Sequence, residues 1–586
     1  VTGVLTRKNS STALEIAIPF IRLNSNNYNI TQGIYYSMFI ARNEENGYYG
    51  YSNPAYPISF EGNSSTGFFG GIGLTSRVTI PTAHTNTPIL HSLFNQNPTA
   101  GVKYAYIETD ANEGFYSVTG DIELVEGGTA IIGSGTALTV EGTFTNNGLV
   151  TLKSQSDKYS SLIATSIDGD GYAQYKRHVN MNSATADNDL ISTPLTGQTF
   201  GAFAIDNEGL ILANGTQRAF GIFNKDLAKY RNYYTDTNAQ TILQPGVGYR
   251  AAAIPDGLNS ETGAAFTYTG EIETGEVSIP IRKTATAFSE WNLIGNPYPS
   301  YIDIQQLIEH NKLLLDENYV SIHGYAGGGN NKVWEPIGIG VQYAGRLMAP
   351  GQGFFVLSNT LGGNFTFTPE MRVPSNTDDF ILGRNSAPVD AAGISLTMST
   401  ASKSFYTDIF FQNGVTLDHD LGYDIALLDG PSFSIFSKLV EDAGNRNREF
   451  DVQALPYSIL DTEVSVPIGI KANQGEQITI SAINMTPTPF PLPENVDIYF
   501  EDKLANTSTF LSTSTFNHNQ RYIFTPSTNL TGELGRFFLR FTNKSLSINK
   551  PDFDAIDVFS PLNTGNLIVK GSVNEVTNLE IFDLNG

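Results

Sequence analysis

Short runs in which apolar and polar residues alternate, each closed by Gly, Asn or Pro, recur along this chain and leave little room for long helices. Ala13-Leu14-Glu15-Ile16-Ala17-Ile18, Tyr104-Ala105-Tyr106-Ile107-Glu108 and Arg536-Phe537-Phe538-Leu539-Arg540-Phe541 have the period of two that a half-buried strand requires. Gly, Asn and Pro between such runs supply the turns. The fold class this predicts is all-β: several β-sandwich or jelly-roll domains in tandem, a short β-solenoid-like stretch and an Ig-like C-terminal domain. A length of 586 residues suits roughly three to five domains.

The pattern divides the chain into an N-terminal Ig-like sandwich at 1–120, a solenoid-like stretch at 121–160, a jelly-roll-like domain at 161–375, a sandwich at 385–545 and a terminal module from 550 to 586. In the second of these, Asp121-Ile122-Glu123-Leu124, Ala130-Ile131-Ile132, Ala137-Leu138-Thr139-Val140 and Leu149-Val150-Thr151-Leu152 follow one another with Gly and Asn corners. Rungs of a solenoid fit this spacing, and so does a meander of hairpins. Pro374-Ser375-Asn376-Thr377-Asp378-Asp379 reads as a linker.

Composition bounds the function. Aromatics at 11%, with 28 Tyr and 36 Phe, and charged residues at only 16% describe a well-cored β protein rather than a disordered one. A net charge of −24 opposes nucleic acid and anionic membranes, which need clustered Lys and Arg. The chain has no cysteine, which removes disulfides, thiolate nucleophiles and Cys-based zinc sites. Val1 is not an initiator Met, so any signal peptide is expected to have been removed or to lie upstream. No run approaches the ~18 apolar residues of a spanning helix.

Candidate chemistry is sparse. Asp168 and Asp170, in Asp168-Gly169-Asp170-Gly171, and Asp418, Asp420 and Asp424 are oxygen-ligand clusters that suit either structural calcium or plain Asp-rich turns. No cofactor beyond that possible calcium is implied. The seven histidines, at 84, 91, 178, 310, 323, 419 and 518, include no His-Glu-x-x-His, and no Gly-x-Ser-x-Gly or Walker-type loop occurs. Tyr48-Tyr49-Gly50-Tyr51, Tyr233-Tyr234 and Trp334 are candidate sugar-stacking platforms, or else cross-strand packing.

The tail carries the most specific signal. Val558-Phe559-Ser560-Pro561-Leu562-Asn563-Thr564-Gly565-Asn566-Leu567-Ile568-Val569 is followed by Asn578-Leu579-Glu580-Ile581-Phe582-Asp583-Leu584-Asn585-Gly586. The segments Asn566 to Val569 and Asn578 to Phe582 read as short strands, which could equally be edge strands of a terminal sandwich. The tail resembles the type A C-terminal sorting domain of cargo proteins of the Bacteroidetes type IX secretion system. It departs from that family in having Ser560-Pro561-Leu562 where an Asn between two prolines is usual, and in stopping at Gly586 before the family's further strands, which are expected in the natural protein.

Gly142 to Ser154, the run Trp291-Asn292-Leu293-Ile294-Gly295-Asn296-Pro297-Tyr298-Pro299-Ser300 and Ala349-Pro350-Gly351-Gln352-Gly353-Phe354-Phe355-Val356 resemble recurring segments of the same cargo class. Physically, the two Pro residues hold the chain extended after Gly295, and Ser300 or Asp303 can then cap a helix near Ile304 to Leu314. The resemblance implies a secreted or surface-displayed, adhesin-like, non-catalytic protein. Its partners would be the outer-membrane translocon and the β-barrel shuttle that receives the sorting domain, with surface glycans as further ligands. The implied sorting residues are Val558, Pro561, Gly565, Leu567, Val569, Leu579, Ile581, Phe582, Leu584 and Gly586. The alternatives are a secreted polysaccharide-degrading enzyme and a carbohydrate-binding assembly.

Overall fold

The computed structural model describes most residues from 114 to 543, with gaps at 119–120, 125, 127, 181–187, 255–262, 285–289, 326–333, 379–390, 429, 445–446, 485–491 and 512–519. Outside this body it describes the backbone of strands at 4–7, 13–17, 37–42, 48–52, 76–79, 104–108, 556–559 and 568–571. The protein is all-β. Among the described residues, two short α-helices interrupt the strands, α1 (Phe200–Asp206) and α2 (Ile304–Asn311).

The chain begins as an antiparallel series, Val4–Arg7, Ala13–Ala17, Ser37–Arg42 and Tyr48–Ser52, and then changes to parallel pairing. Ser76–Thr79, Tyr104–Glu108, Thr129–Ile132, Leu149–Gln155 and Tyr172–Asn180 lie side by side in one parallel sheet. Gly114–Val118, Thr136–Asn146 and Ser161–Asp168 form a second. Because the chain passes from one sheet to the other and back, it coils; hairpins would pair antiparallel. Parallel pairing begins where Tyr48–Ser52 meets Ser76–Thr79 and runs to Tyr172–Asn180, past the limits 121–160 suggested by sequence. Inside the coil, Ala130, Ile132, Val150, Leu152 and Tyr175 meet Leu138, Val140, Phe144, Leu162 and Ala164.

Between 172 and 367 the chain folds as two copies of one unit. Each copy contributes a first strand, a helix, a hairpin and a fourth strand. In the first copy, Asn188–Ser192 pairs with Gly248–Ala252, which pairs with Gln217–Asn224, which pairs with Lys229–Tyr234. In the second, Trp291–Gly295 pairs with Gly353–Leu357, which pairs with Ile322–Tyr325, which pairs with Trp334–Ile337. Each sheet faces a last strand, Gly263–Gly270 or Gly363–Phe367, borne on a neighbour, Tyr172–Asn180 or Val277–Ile281.

Small polar contacts repeat as well. Thr199 caps α1 by accepting from the Ala202 amide, and Asp303, rather than Ser300, caps α2 by accepting from the Gln306 amide at 3.0 Å. At the other end of α1, the Asn207 side chain donates to the Phe203 and Thr267 carbonyls and accepts from the Thr267 amide. Asn311 does the same at the end of α2 with Leu307 and Thr366. Each Asn thus bonds a carbonyl of the last helical turn and clamps the helix to the last strand of its own copy.

The two copies cross at their first strands around a pseudo-twofold axis. The bridge Ile191 to Gln352 is matched by Ile294 to Val247, and the bond from the Ser192 amide to the Gly351 carbonyl (2.7 Å) by that from Gly295 to Gly246 (3.0 Å). The crossing requires glycine. Gly246 and Gly351 have φ of 82° and 63°, a region that L side chains rarely adopt. A Cβ on Gly248 would come within 2.7 Å of the Ile294 carbonyl oxygen, and one on Gly353 within 2.7 Å of the Ile191 amide.

The pair is held at both ends. The coil docks through the Leu162 amide on the Pro299 carbonyl (2.8 Å) and Arg372 on the Ala164 carbonyl (3.2 Å). A C-terminal sandwich of strands between Ala391 and Asn543 docks through the Ile339 amide on Gly422 (2.9 Å) and the Val341 amide on Gln412 Oε1 (3.0 Å). Phe410, Ile425 and Val452 of the sandwich share one core with Ile322, Ile337 and Met348. In the tail, Ile556–Phe559 pairs antiparallel with Ile568–Gly571.

Candidate functional site

One face of the paired sheets turns its side chains away from both helix-backed cores. Strand alternation decides which residues reach it: Ile191, Tyr249, Ile294 and Phe354 point into those cores, so Leu190, Arg250, Leu293 and Phe355 point to the opposite face. There Trp291, Trp334 and Phe355 form a triad with ring centroids 5.2 to 5.6 Å apart. Tyr325 meets Trp334 edge-on at 5.6 Å, and Phe223 bridges Phe355 (5.2 Å) to Tyr230 (5.5 Å). The aromatic row therefore crosses from one copy to the other. Trp291 is buried, whereas Phe223, Tyr230, Tyr325 and Trp334 are half-buried. Leu428 of the C-terminal sandwich packs against the same cluster.

Polar groups border the row on the first copy. The Arg250 guanidinium lies 4.3 Å above the Tyr230 ring and donates to Asn232 Oδ1 at 3.0 Å. Burial lowers its pKa, and the Tyr230 hydroxyl acts against that shift. Burial pushes the Tyr230 hydroxyl up to about 12, with Arg250 opposing and Tyr325 reinforcing, so the hydroxyl stays protonated and available as a donor at neutral pH. Nearby, Gln217 donates to the Tyr234 hydroxyl at 2.9 Å. Lys225 ties the copies together by donating to Asn292 Oδ1 at 2.6 Å and to the Arg282 carbonyl. Burial, helped by Arg282, brings its ammonium down to about 8. Planar polar groups beside aromatic faces are chemically suited to hydroxyl-bearing rings or carboxylates.

The residues singled out by sequence separate. Trp334 lies in the row. Tyr233 is buried against Phe200 and Phe220, while its neighbour Tyr234 is 40% exposed. Tyr48 to Tyr51 lie in a strand whose side chains fall outside the described residues. Asp168 and Asp170 sit on an exposed corner of the coil, where the Asp170 amide faces Asn147 Oδ1 at 3.4 Å.

Asp418, Asp420 and Asp424 share one loop of the sandwich. The two Asp424 oxygens accept from the Ala454 amide (2.8 Å) and the Asp420 amide (2.7 Å), and Asp420 Oδ2 accepts from the Thr416 amide and hydroxyl. Burial pushes the Asp424 carboxyl up to about 8, outweighing these bonds. Among the described residues, no group of three or more His, Asp or Glu is arranged to hold a metal ion. In the tail, Val558 stands opposite Val569. Pro561, Gly565, Leu567, Leu579, Ile581, Phe582, Leu584 and Gly586 lie outside the described residues.

Arg250, Tyr230, Tyr325 and Phe355 were not legible as a group in sequence. The signal that points to them is the twin of Ala349-Pro350-Gly351-Gln352-Gly353, namely Gln244-Pro245-Gly246-Val247-Gly248, each opening the fourth strand of its copy.

The chain matches the family described as "Domain of unknown function (DUF8693)" over residues 95–328 and again over 319–541. It belongs to that family. Together the two matches span more than half of the chain, covering the coil, the paired copies and the sandwich. No curated protein and no solved structure matches the chain.

Proposed function

We propose that this chain is a secreted or surface-displayed, adhesin-like and non-catalytic β protein, exported as cargo of the type IX secretion system through its C-terminal tail. The observation that carries the reading is the tail motif Val558 to Val569, whose ends pair as a hairpin with Val558 opposite Val569. The body supports the same reading. Coil, paired copies and sandwich are locked end to end by backbone bonds, as a display stalk requires. The partners in this proposal are the outer-membrane translocon and its β-barrel shuttle.

The test is affinity capture of the protein from its host, with and without the segment from Asp552 onward, followed by mass spectrometry. Recovery of translocon components only with the tail is the expected result. Equal recovery, or none, would remove the export role.

A further inference from the structure

The fold does not require an arginine at position 250, and its neighbours Tyr230 and Asn232 engage only part of its guanidinium. Its counterpart in the second copy, in register with His323 as Arg250 is with Gly221, is Phe355, so the shared scaffold accepts an apolar ring at this place. Exchanging that ring for a guanidinium withdraws a cation from water, which is costly unless the charge is matched. Among the described residues no carboxylate forms an ion pair with it; the groups that act on its charge there are the surrounding protein, which desolvates it, and the Tyr230 hydroxyl. Among the described residues Asn232 is its hydrogen-bond acceptor, which engages one of the five guanidinium donors. A half-buried arginine with donors to spare, on an aromatic face, is locally complementary to a carboxylate carried on apolar surface.

We propose that the aromatic face across the two copies binds an acidic glycan, a polysaccharide chain containing uronic acid residues. Pyranose rings stack on the half-buried Trp334 and Tyr325, and a uronate carboxylate takes the free donors of Arg250 in a two-pronged, charge-assisted contact. Tyr230 supports the guanidinium from below, and its protonated hydroxyl donates to a sugar oxygen. The net charge of −24 opposes every polyanion at long range, so the contact is carried locally by the Arg250 guanidinium, and nucleic acid, which needs clustered Lys and Arg, is disfavoured. The two copies would divide the task, the second supplying stacking surface and the first supplying charge and hydrogen bonds.

This assignment rests on the adhesin-like reading and names its ligand class, but its test is independent of export. The whole purified chain is applied to an array carrying oligogalacturonates, alginate fragments, hyaluronan fragments and neutral β-linked oligosaccharides, and the best ligand is then titrated calorimetrically. Binding is expected to uronate-containing chains, weakened at least tenfold in R250F and in W334A. R250F installs the side chain that the second copy already carries, so its melting temperature should match that of the parent; R250Q serves as a second charge-removing variant. No binding to any uronate chain, binding to neutral glycans alone, or unchanged affinity in both R250F and R250Q would overturn the proposal. Failure here with tail-dependent translocon capture intact would leave the export reading standing.

Discussion

The two copies at 188–270 and 291–367 share a backbone plan and differ in the side chains they set on the face turned away from the helices. The helix caps, the asparagine clamps, the Pro-Gly-x-Gly turns and the reciprocal bonds at the crossing all repeat. On the outer face the pairs diverge: Gly221 against His323, Phe223 against Tyr325, Tyr230 against Trp334 and Arg250 against Phe355. Positions that hold the fold are therefore separable from positions that the fold leaves free. An unusual residue among the free ones, above all Arg250, calls for an explanation outside the fold.

The largest effect should come from the crossing itself. G248A and G353A each force a Cβ into the other copy's first strand, and each is expected to cost about 3 kcal/mol in chemical denaturation. A large loss in one and none in the other would break the symmetry argument. Next come the clamps: N207A and N311A each strand backbone groups of the last strand and should cost about 2 kcal/mol apiece, by near-equal amounts.

A third prediction concerns the sandwich loop that holds Asp424 and that meets the second copy through the Gly422 carbonyl. Burial holds the Asp424 carboxyl near 8, above the ~3.9 of an unfolded aspartate, so between those values the folded chain keeps a proton that the unfolded chain has shed. The stability this provides is complete below about pH 4 and is lost as the pH rises to about 8, by at most about 1.4 kcal/mol per pH unit. D424N should flatten the stability profile over that window; an unchanged profile would show that Asp424 titrates normally. The smallest effects belong to the helix caps, where T199A and D303A should each cost about 1 kcal/mol, read as a lowered melting temperature.

The strand content was legible because alternation with a period of two is a local signal, and Asp303 was already a candidate cap for α2. The motif from Trp291 to Ser300 and the turn at Pro350-Gly351 stood out because Pro and Gly fix backbone geometry without help from distant residues. Their twins, Leu190-Ile191-Ser192-Thr193-Pro194 and Pro245-Gly246, escaped notice because the copies keep only the residues the crossing needs and differ elsewhere. The site was less legible still. Trp334 was a candidate, but Tyr230, Arg250, Tyr325 and Phe355 come together through non-local sheet pairing and the pseudo-twofold, which no window of sequence contains. For Tyr233 and Tyr234, adjacent in sequence, strand alternation alone decides that the first is buried and the second exposed.

The most direct test of a shared outer face is hydrogen exchange on the whole chain with and without a saturating acidic oligosaccharide. Slower exchange in both copies, at 219–234 and at 322–325 with 334–337, and unchanged exchange in the coil at 137–168, is the predicted result. Protection confined to one copy, or located in the coil or the C-terminal sandwich instead, would contradict a binding face built across the pseudo-twofold.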